Sequence, residues 1–192
     1  MSLDDLTLAD FKNRVGVGTR ANRYSVSMGI PTNNHTLQAE VSAASLPGAE
    51  LPAIPVPFRG RILKIPGDRP YSTWTFTVYD QPAPATTEGS LDTGTTAWDA
   101  LHAWSNAINN HEDNTTNWSP DSTEGGGGYV ADWTIHHYDL NGNEIKQVKL
   151  HNCWPTLVGP IDLAAGVMDS LVQFSCSVEY EYFTVKTDSD DG

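Results

Sequence analysis

Alternation of apolar and polar side chains dominates the chain. Across Val172–Tyr182, Val172, Phe174, Cys176, Val178, Tyr180 and Tyr182 fall on one side. Gln173, Ser175, Ser177, Glu179 and Glu181 fall on the other. A period of two puts successive side chains on opposite faces of an extended strand, so this segment predicts a half-buried strand, the longest in the chain. Thr73–Tyr79 repeats the pattern, with Trp74, Phe76 and Val78 facing one way and Thr73, Thr75, Thr77 and Tyr79 the other. Asn22–Met28 and His35–Ala43 predict two shorter strands joined by the turn at 29–34. Tyr129–Tyr138 and Glu144–Leu150 flank Asn141-Gly142, a strong signal for a tight hairpin.

One segment changes period. In Thr95–Asn109, Trp98, Leu101, Trp104 and Ile108 recur at helical spacing and form an apolar stripe. Thr95 or Thr96 can cap its start, where Asp99 suits the positive end of the helix dipole. Many strands with one such helix predict a mainly β fold: a β-sandwich or barrel of antiparallel strands with one flanking α-helix.

The remaining segments have no period. Leu46–Pro70 carries Pro47, Pro52, Pro55, Pro57, Pro66 and Pro70, a density that excludes a helix and a central strand. It reads as an extended proline-rich loop, stiff enough to dock on a neighbour or to fold over its own domain. Asn110–Gly128 is polar and acidic, ends in four glycines, and reads as a flexible loop. The expected organisation is an N-terminal arm (1–21), a β-domain (22–183) and an acidic mobile tail (184–192).

Charge narrows the function. Eleven basic and 24 acidic residues give a net charge of −13, which excludes wrapping nucleic acid through phosphate contacts. No apolar run approaches the roughly 20 residues of a membrane-spanning helix. The start, MSLDDLTLADFK, lacks the basic and apolar regions of a secretory leader. Cys153 and Cys176 are too few for a disulfide framework, and Cys176 reads as a small buried thiol.

No catalytic or cofactor signature accompanies these patterns. His136 and His137 are adjacent in a strand and point to opposite faces, so they cannot share a metal. His102 and His111 fall out of helical register. His151 and Cys153, before a Trp154-Pro155 turn, lack further ligands. Asp139, Asn141 and Asn143 begin like a calcium loop, but Glu144 stands where glycine is required and Leu150 where the bidentate glutamate belongs. The expectation is a non-enzymatic protein without metal or cofactor.

Several stretches together resemble the tail tube protein of contractile-tailed bacteriophages. They are Ala44-Ser45-Leu46-Pro47, Ile54-Pro55-Val56 with Phe58 and Arg61, Gly67-Asp68-Arg69, Trp74-Thr75-Phe76-Thr77-Val78, Trp154-Pro155-Thr156, Val158-Gly159 and Glu179-Tyr180-Glu181-Tyr182. Their order and spacing are similar to the family over roughly Asn22 to Phe183. The resemblance implies a structural virion protein, assembled in the host bacterial cytoplasm. Six copies would form a ring, and rings would stack into a tube inside the contractile sheath. Implied partners are further copies of the chain, the sheath, baseplate and tail terminator proteins; the tape-measure protein and double-stranded DNA would transit the lumen without specific binding.

Within that frame, Leu46, Pro47, Ile54, Phe58, Arg59, Arg61, Asp68 and Arg69 are candidates for contact between rings or subunits. Thr73, Thr75, Thr77, Gln173, Ser175, Ser177, Glu179 and Glu181 are candidates for the lumen face. Two alternatives share the fold: a tube-like baseplate or terminator protein, and the tube of a phage-like injection or type VI secretion system. A third, of another class, is a β-sandwich carbohydrate-binding module that would present Trp118 and Trp154.

Overall fold

The computed structural model describes residues 8, 19–31, 35–37, 41–82, 95–116, 128–164, 166 and 169–187. Most of the expected N-terminal arm, the centre of the 110–128 loop and the last residues of the tail lie outside them. The described strands are β1 (Tyr24–Ile30), β2 (His35–Leu37), β3 (Val41–Ala44), β4 (Ala53–Phe58), β5 (Arg61–Pro66), β6 (Trp74–Tyr79), β7 (Ala131–Tyr138), β8 (Glu144–Val158), β9 (Gln173–Glu179) and β10 (Tyr182–Thr187). Helix α1 spans Ala97–Ile108.

The main sheet runs β2-β1-β7-β8-β9-β6-β3, with β10 also paired to β8. All pairings are antiparallel. Strand β8 is the hinge of this arrangement. Its first part, through His151, lies between β7 and β10, whereas Trp154–Val158 pairs with β9. A bulge marks the change. Asn152 adopts φ 54°, and its N–H donates to Asp132 Oδ1 at 3.1 Å. Such a bulge bends a strand and increases its twist, which lets one strand serve two sheet layers. The β-sandwich with a flanking helix is therefore the architecture observed.

The core lies between these layers. Trp133 stands at its centre, with ring centroids 6.1 Å from Trp74, 5.5 Å from Phe76 and 5.9 Å from Trp104. It thus touches β6 and α1 from its place on β7. The indole N–H groups of the core tryptophans all reach backbone carbonyls: Trp133 to Gly29, Trp74 to Ser45, and Trp104 to Tyr129. An unpartnered buried donor would cost about 1–3 kcal/mol. Helix α1 is capped by Thr96, whose hydroxyl accepts from Asp99 N at 3.3 Å, and buries Ala97, Ala100, Leu101 and Trp104. Trp98 and Ile108 of the predicted stripe are half-buried at its margins.

Five sequence expectations are corrected. The alternation over Val172–Tyr182 is two strands, because the chain turns at Tyr180 and leaves β9 to pair with β8. Tyr180 is buried, while Val172 and Tyr182 are exposed, and β8, with 15 residues, is the longest strand. His35–Ala43 likewise divides into β2 and β3, which lie at opposite ends of the sheet order. Cys153-Trp154-Pro155 is no turn but part of β8, where Pro155 pairs with Val178. The proline-rich loop contains a two-stranded hairpin, β4–β5, closed by Arg59-Gly60. Strand β10 continues to Thr187, past the expected start of the tail.

Candidate functional site

Two surfaces stand out, and each gathers part of the residues singled out in the sequence. The first is the outer face of β6 and β9. Register brings Thr75 opposite Ser177, Thr77 opposite Ser175 and Tyr79 opposite Gln173. The Thr75 and Ser177 hydroxyls lie 3.1 Å apart, and the Thr73 hydroxyl donates to Glu179 Oε1. Seven of the eight lumen-face candidates thus share one face. Glu181 does not: it sits at the corner between β9 and β10, where its carboxylate accepts from Asn152 Nδ2 at 2.6 Å.

This face is short-chained, hydroxyl-rich and free of cations. No Lys or Arg occurs in β3, β6, β9 or Trp154–Val158. Lys146, Lys149 and Lys186 all belong to β10 and the first part of β8, so the two layers differ in charge. Close packing beside the face explains Val158-Gly159. A Cβ at Gly159 would stand 2.5 Å from the Ser175 carbonyl oxygen. Gly159 N donates to that same oxygen at 2.8 Å, and its own carbonyl accepts from Trp98 Nε1 at 3.1 Å. A single glycine therefore ties β9 to helix α1.

The second surface is the β4–β5 hairpin. Arg59 and Gly60 have φ values of 45° and 82°, the left-handed pair of a two-residue turn whose twist suits a hairpin. Every residue of both strands is exposed, and neither strand pairs with another among the described residues. Ile54, Val56, Phe58, Leu63 and Ile65 share one face, which also carries Arg61. Arg59 lies over the Phe58 ring, 5.5 Å from its centroid. Gly67 closes the base: its N–H donates to Pro52 O at 2.8 Å, and a Cβ there would meet Ile54 at 3.1 Å.

The other contact candidates are spread out. Asp68 and Arg69 are exposed beyond the base of the hairpin. Leu46 is exposed at a cavity of about 220 Å³ that Tyr24, Ala44, Ile135 and His137 also line, and Pro47 is half-buried. Leu63 and Gly159 were not among the sequence candidates. The alternation of Ile54, Val56 and Phe58 was the available signal for the hairpin; the intervening prolines masked it.

A polar cluster pins the β8 bulge. Asp132 takes Lys149 Nζ at 2.8 Å and His151 Nδ1 at 3.6 Å, while His151 stacks on Tyr182 at 4.4 Å and its Nε2 lies 3.0 Å from the Thr184 hydroxyl. Partial burial pushes the Asp132 carboxyl upward, but hydrogen bonds from Lys149 and Asn152 and the charges of Lys149 and His151 outweigh it and hold its pKa below the ordinary value. Burial pushes the Cys153 and Cys176 thiols up to about 12. Among the described residues, no group of three or more His, Cys, Asp or Glu is arranged to hold a metal ion. Trp154 is half-buried, its ring 6.2 Å from Tyr129 in an edge contact, and offers no open platform; Trp118 lies outside the described residues.

The described residues thus form a β-sandwich with a cation-free polar face and an exposed apolar arm that pairs with none of its other strands. The chain belongs to the phage tail tube family: the family model described as "Phage tail tube protein" matches residues 10–186. It is 27% identical to the tail tube protein of Serratia phage KSP90, over 91% of this chain and 94% of that one. It is 24% identical to the tail tube protein gp19 of Enterobacteria phage T4, over 95% and 99%. Among solved structures, the fold is similar to a chain of the anti-feeding prophage tube-terminating cap (TM-score 0.59, 16% identity, covering 97% and 99%). A chain from the sheath-tube complex of an extracellular contractile injection system is also similar (TM-score 0.53, 16% identity, covering 95% and 99%).

Proposed function

We infer that six copies of this tail tube subunit close into a ring, that rings stack into the tube of a virion, and that the β6–β9 hydroxyl face lines its lumen. The observation that carries this is the absence of Lys and Arg from that face, on a chain of net charge −13. Phosphate capture requires cations. A wall of hydroxyls with Glu179 repels DNA weakly and gives it nothing to hold, so DNA and the tape-measure protein pass without specific binding. A structural role of this kind needs no catalytic group and no cofactor.

The contractile sheath is the expected outer partner, with baseplate and terminator proteins at the two ends. The fold shared with a chain of a sheath-tube complex and with a tube cap supports these assignments. The hairpin, Leu46, Asp68 and Arg69 supply contacts between neighbouring copies, within or between rings.

The test is topological. Ser175→Cys is labelled with a small maleimide and with a maleimide carrying a large polymer, first as dilute chain and then as tubes seen by electron microscopy. The expected result is that both reagents label the dilute chain, while only the small one labels tubes. Equal labelling of tubes by the large reagent would place the β6–β9 face outside the lumen.

A further inference from the structure

The prolines of the hairpin are not scattered. Across a two-residue turn, Phe58 and Arg61 form a hydrogen-bonded pair, and the pairs then alternate in type along the ladder. Pro57↔Ile62, Pro55↔Lys64 and Ala53↔Pro66 are consequently the non-hydrogen-bonded pairs. The bond from Gly67 N to Pro52 O has the phase this requires. Every proline within the two strands stands where the backbone N–H would point outward, so none removes a bond from the ladder.

The consequence is an arm with two unlike edges. The outer edge of β4 presents Ala53, Pro55 and Pro57, and two of these have no N–H. The outer edge of β5 presents Ile62, Lys64 and Pro66, and the first two offer N–H and C=O together. A strand added to an exposed edge needs donors as well as acceptors. Strand β4 is therefore closed to pairing, and β5 is open.

We propose that the hairpin pairs with a second copy of this chain along the outer edge of β5, through the backbone groups of Ile62 and Lys64. This rests on the tube reading and names the contact by which one subunit holds the next. Charge selects the occupant. Arg59, Arg61 and Lys64 give the hairpin three positive charges and no negative one, on a chain of net charge −13, and none of the three forms an ion pair among the described residues. The rest of the same chain is net acidic and so complementary in charge to its own arm.

Reach and stability agree with that choice. Six residues of strand carry the tip about 20 Å from the base. An isolated two-stranded hairpin is marginal in water; here Phe58 is 65% exposed, Leu63 60% and Ile62 67%. Because the arm and the surface receiving it are different parts of the chain, the contact is head-to-tail and repeats from copy to copy.

Proline substitution tests the edge directly. Lys64→Pro closes β5 at a position equivalent to those of Pro55 and Pro57 and leaves the hairpin ladder whole. Lys64→Ala removes the charge but keeps the N–H, and Pro57→Ala adds a donor to the edge held to be unused. With folding checked by near-ultraviolet circular dichroism, Lys64→Pro is expected to lower the assembled fraction, on purified baseplates, by about tenfold or more, and the other two to stay within about threefold of wild type.

Hydrogen exchange gives a readout that does not depend on the variant folding. In wild-type particles the Ile62 and Lys64 amides are expected to exchange roughly 100-fold more slowly than in dilute chain, with Ala53 unchanged. Wild-type tubes in which Ile62 and Lys64 gain no protection, or a folded Lys64→Pro that assembles normally, would overturn the β5 pairing and leave the tube reading standing. A wild-type chain that forms no ring or tube on baseplates would overturn both.

Discussion

Thr75 and Ser177 face each other across β6 and β9 with their hydroxyls 3.1 Å apart, in the middle of a sheet face that holds no cation. Both side chains point away from the core; Thr75 is exposed and Ser177 half-buried, so Thr75 is the position with room for a lysine. Thr75→Lys is expected to change stability by less than about 0.5 kcal/mol, as exposed substitutions do. The expected phenotype is functional: particles form, but DNA release slows in a salt-dependent way as phosphates find cations in the lumen. Release kinetics at two ionic strengths check this, and unchanged release would remove the lumen assignment.

Gly159 packs directly against Ser175 of β9 while its carbonyl accepts from Trp98 of helix α1. Gly159→Ala forces a methyl group to within 2.5 Å of the Ser175 carbonyl oxygen unless the backbone moves. Moving it disturbs the bonds to Ser175 and Trp98 as well. Overpacking of this kind costs about 1–3 kcal/mol, which thermal unfolding would register as a lowered midpoint. An unchanged midpoint would mean that the β9 edge yields at little cost.

Asp132 contributes to the acid limb of stability. Its pKa is lowered in the folded protein, so the unfolded chain takes up the proton first as pH falls. The stabilisation is complete above the ordinary carboxylate range, near pH 4, and is lost as pH drops through the lower folded value. Asp132→Asn is expected to flatten the stability profile below about pH 4 relative to wild type. Urea titrations between neutral and acid pH check the slope.

The two thiols are expected to be silent in the native chain. Both are buried, with pKa values pushed up to about 12, and the thiolate is the reactive form. A thiol-specific reagent at neutral pH should label neither until denaturant is added. Because burial raises these values, their contribution to stability is complete below the unfolded thiol pKa and falls as pH rises from there towards 12. Rapid native labelling of either cysteine would mean that the core opens locally.

Sequence alone determined which side chains of a strand share a face. Period two put Trp74, Phe76 and Val78, and Phe174, Cys176 and Val178, on one side of their strands, and the polar residues of Thr73–Tyr79 and Gln173–Glu181 on the other, because alternation is a property of the extended backbone itself. The helical stripe, a cap at Thr95 or Thr96 and the family were legible for the same reason: each is local or is carried by ordered short motifs. What only the tertiary structure decided is where strands end and with whom they pair. The alternation through Tyr180 does not break, yet the chain turns there and passes from the part of β8 after its bulge at Asn152 to the part before it. The prolines of 51–66 forbid a central strand but permit a hairpin whose outward positions need no donor, and that distinction depends on a register set by Arg59-Gly60. Pairing partners are chosen by long-range packing, which no local pattern encodes.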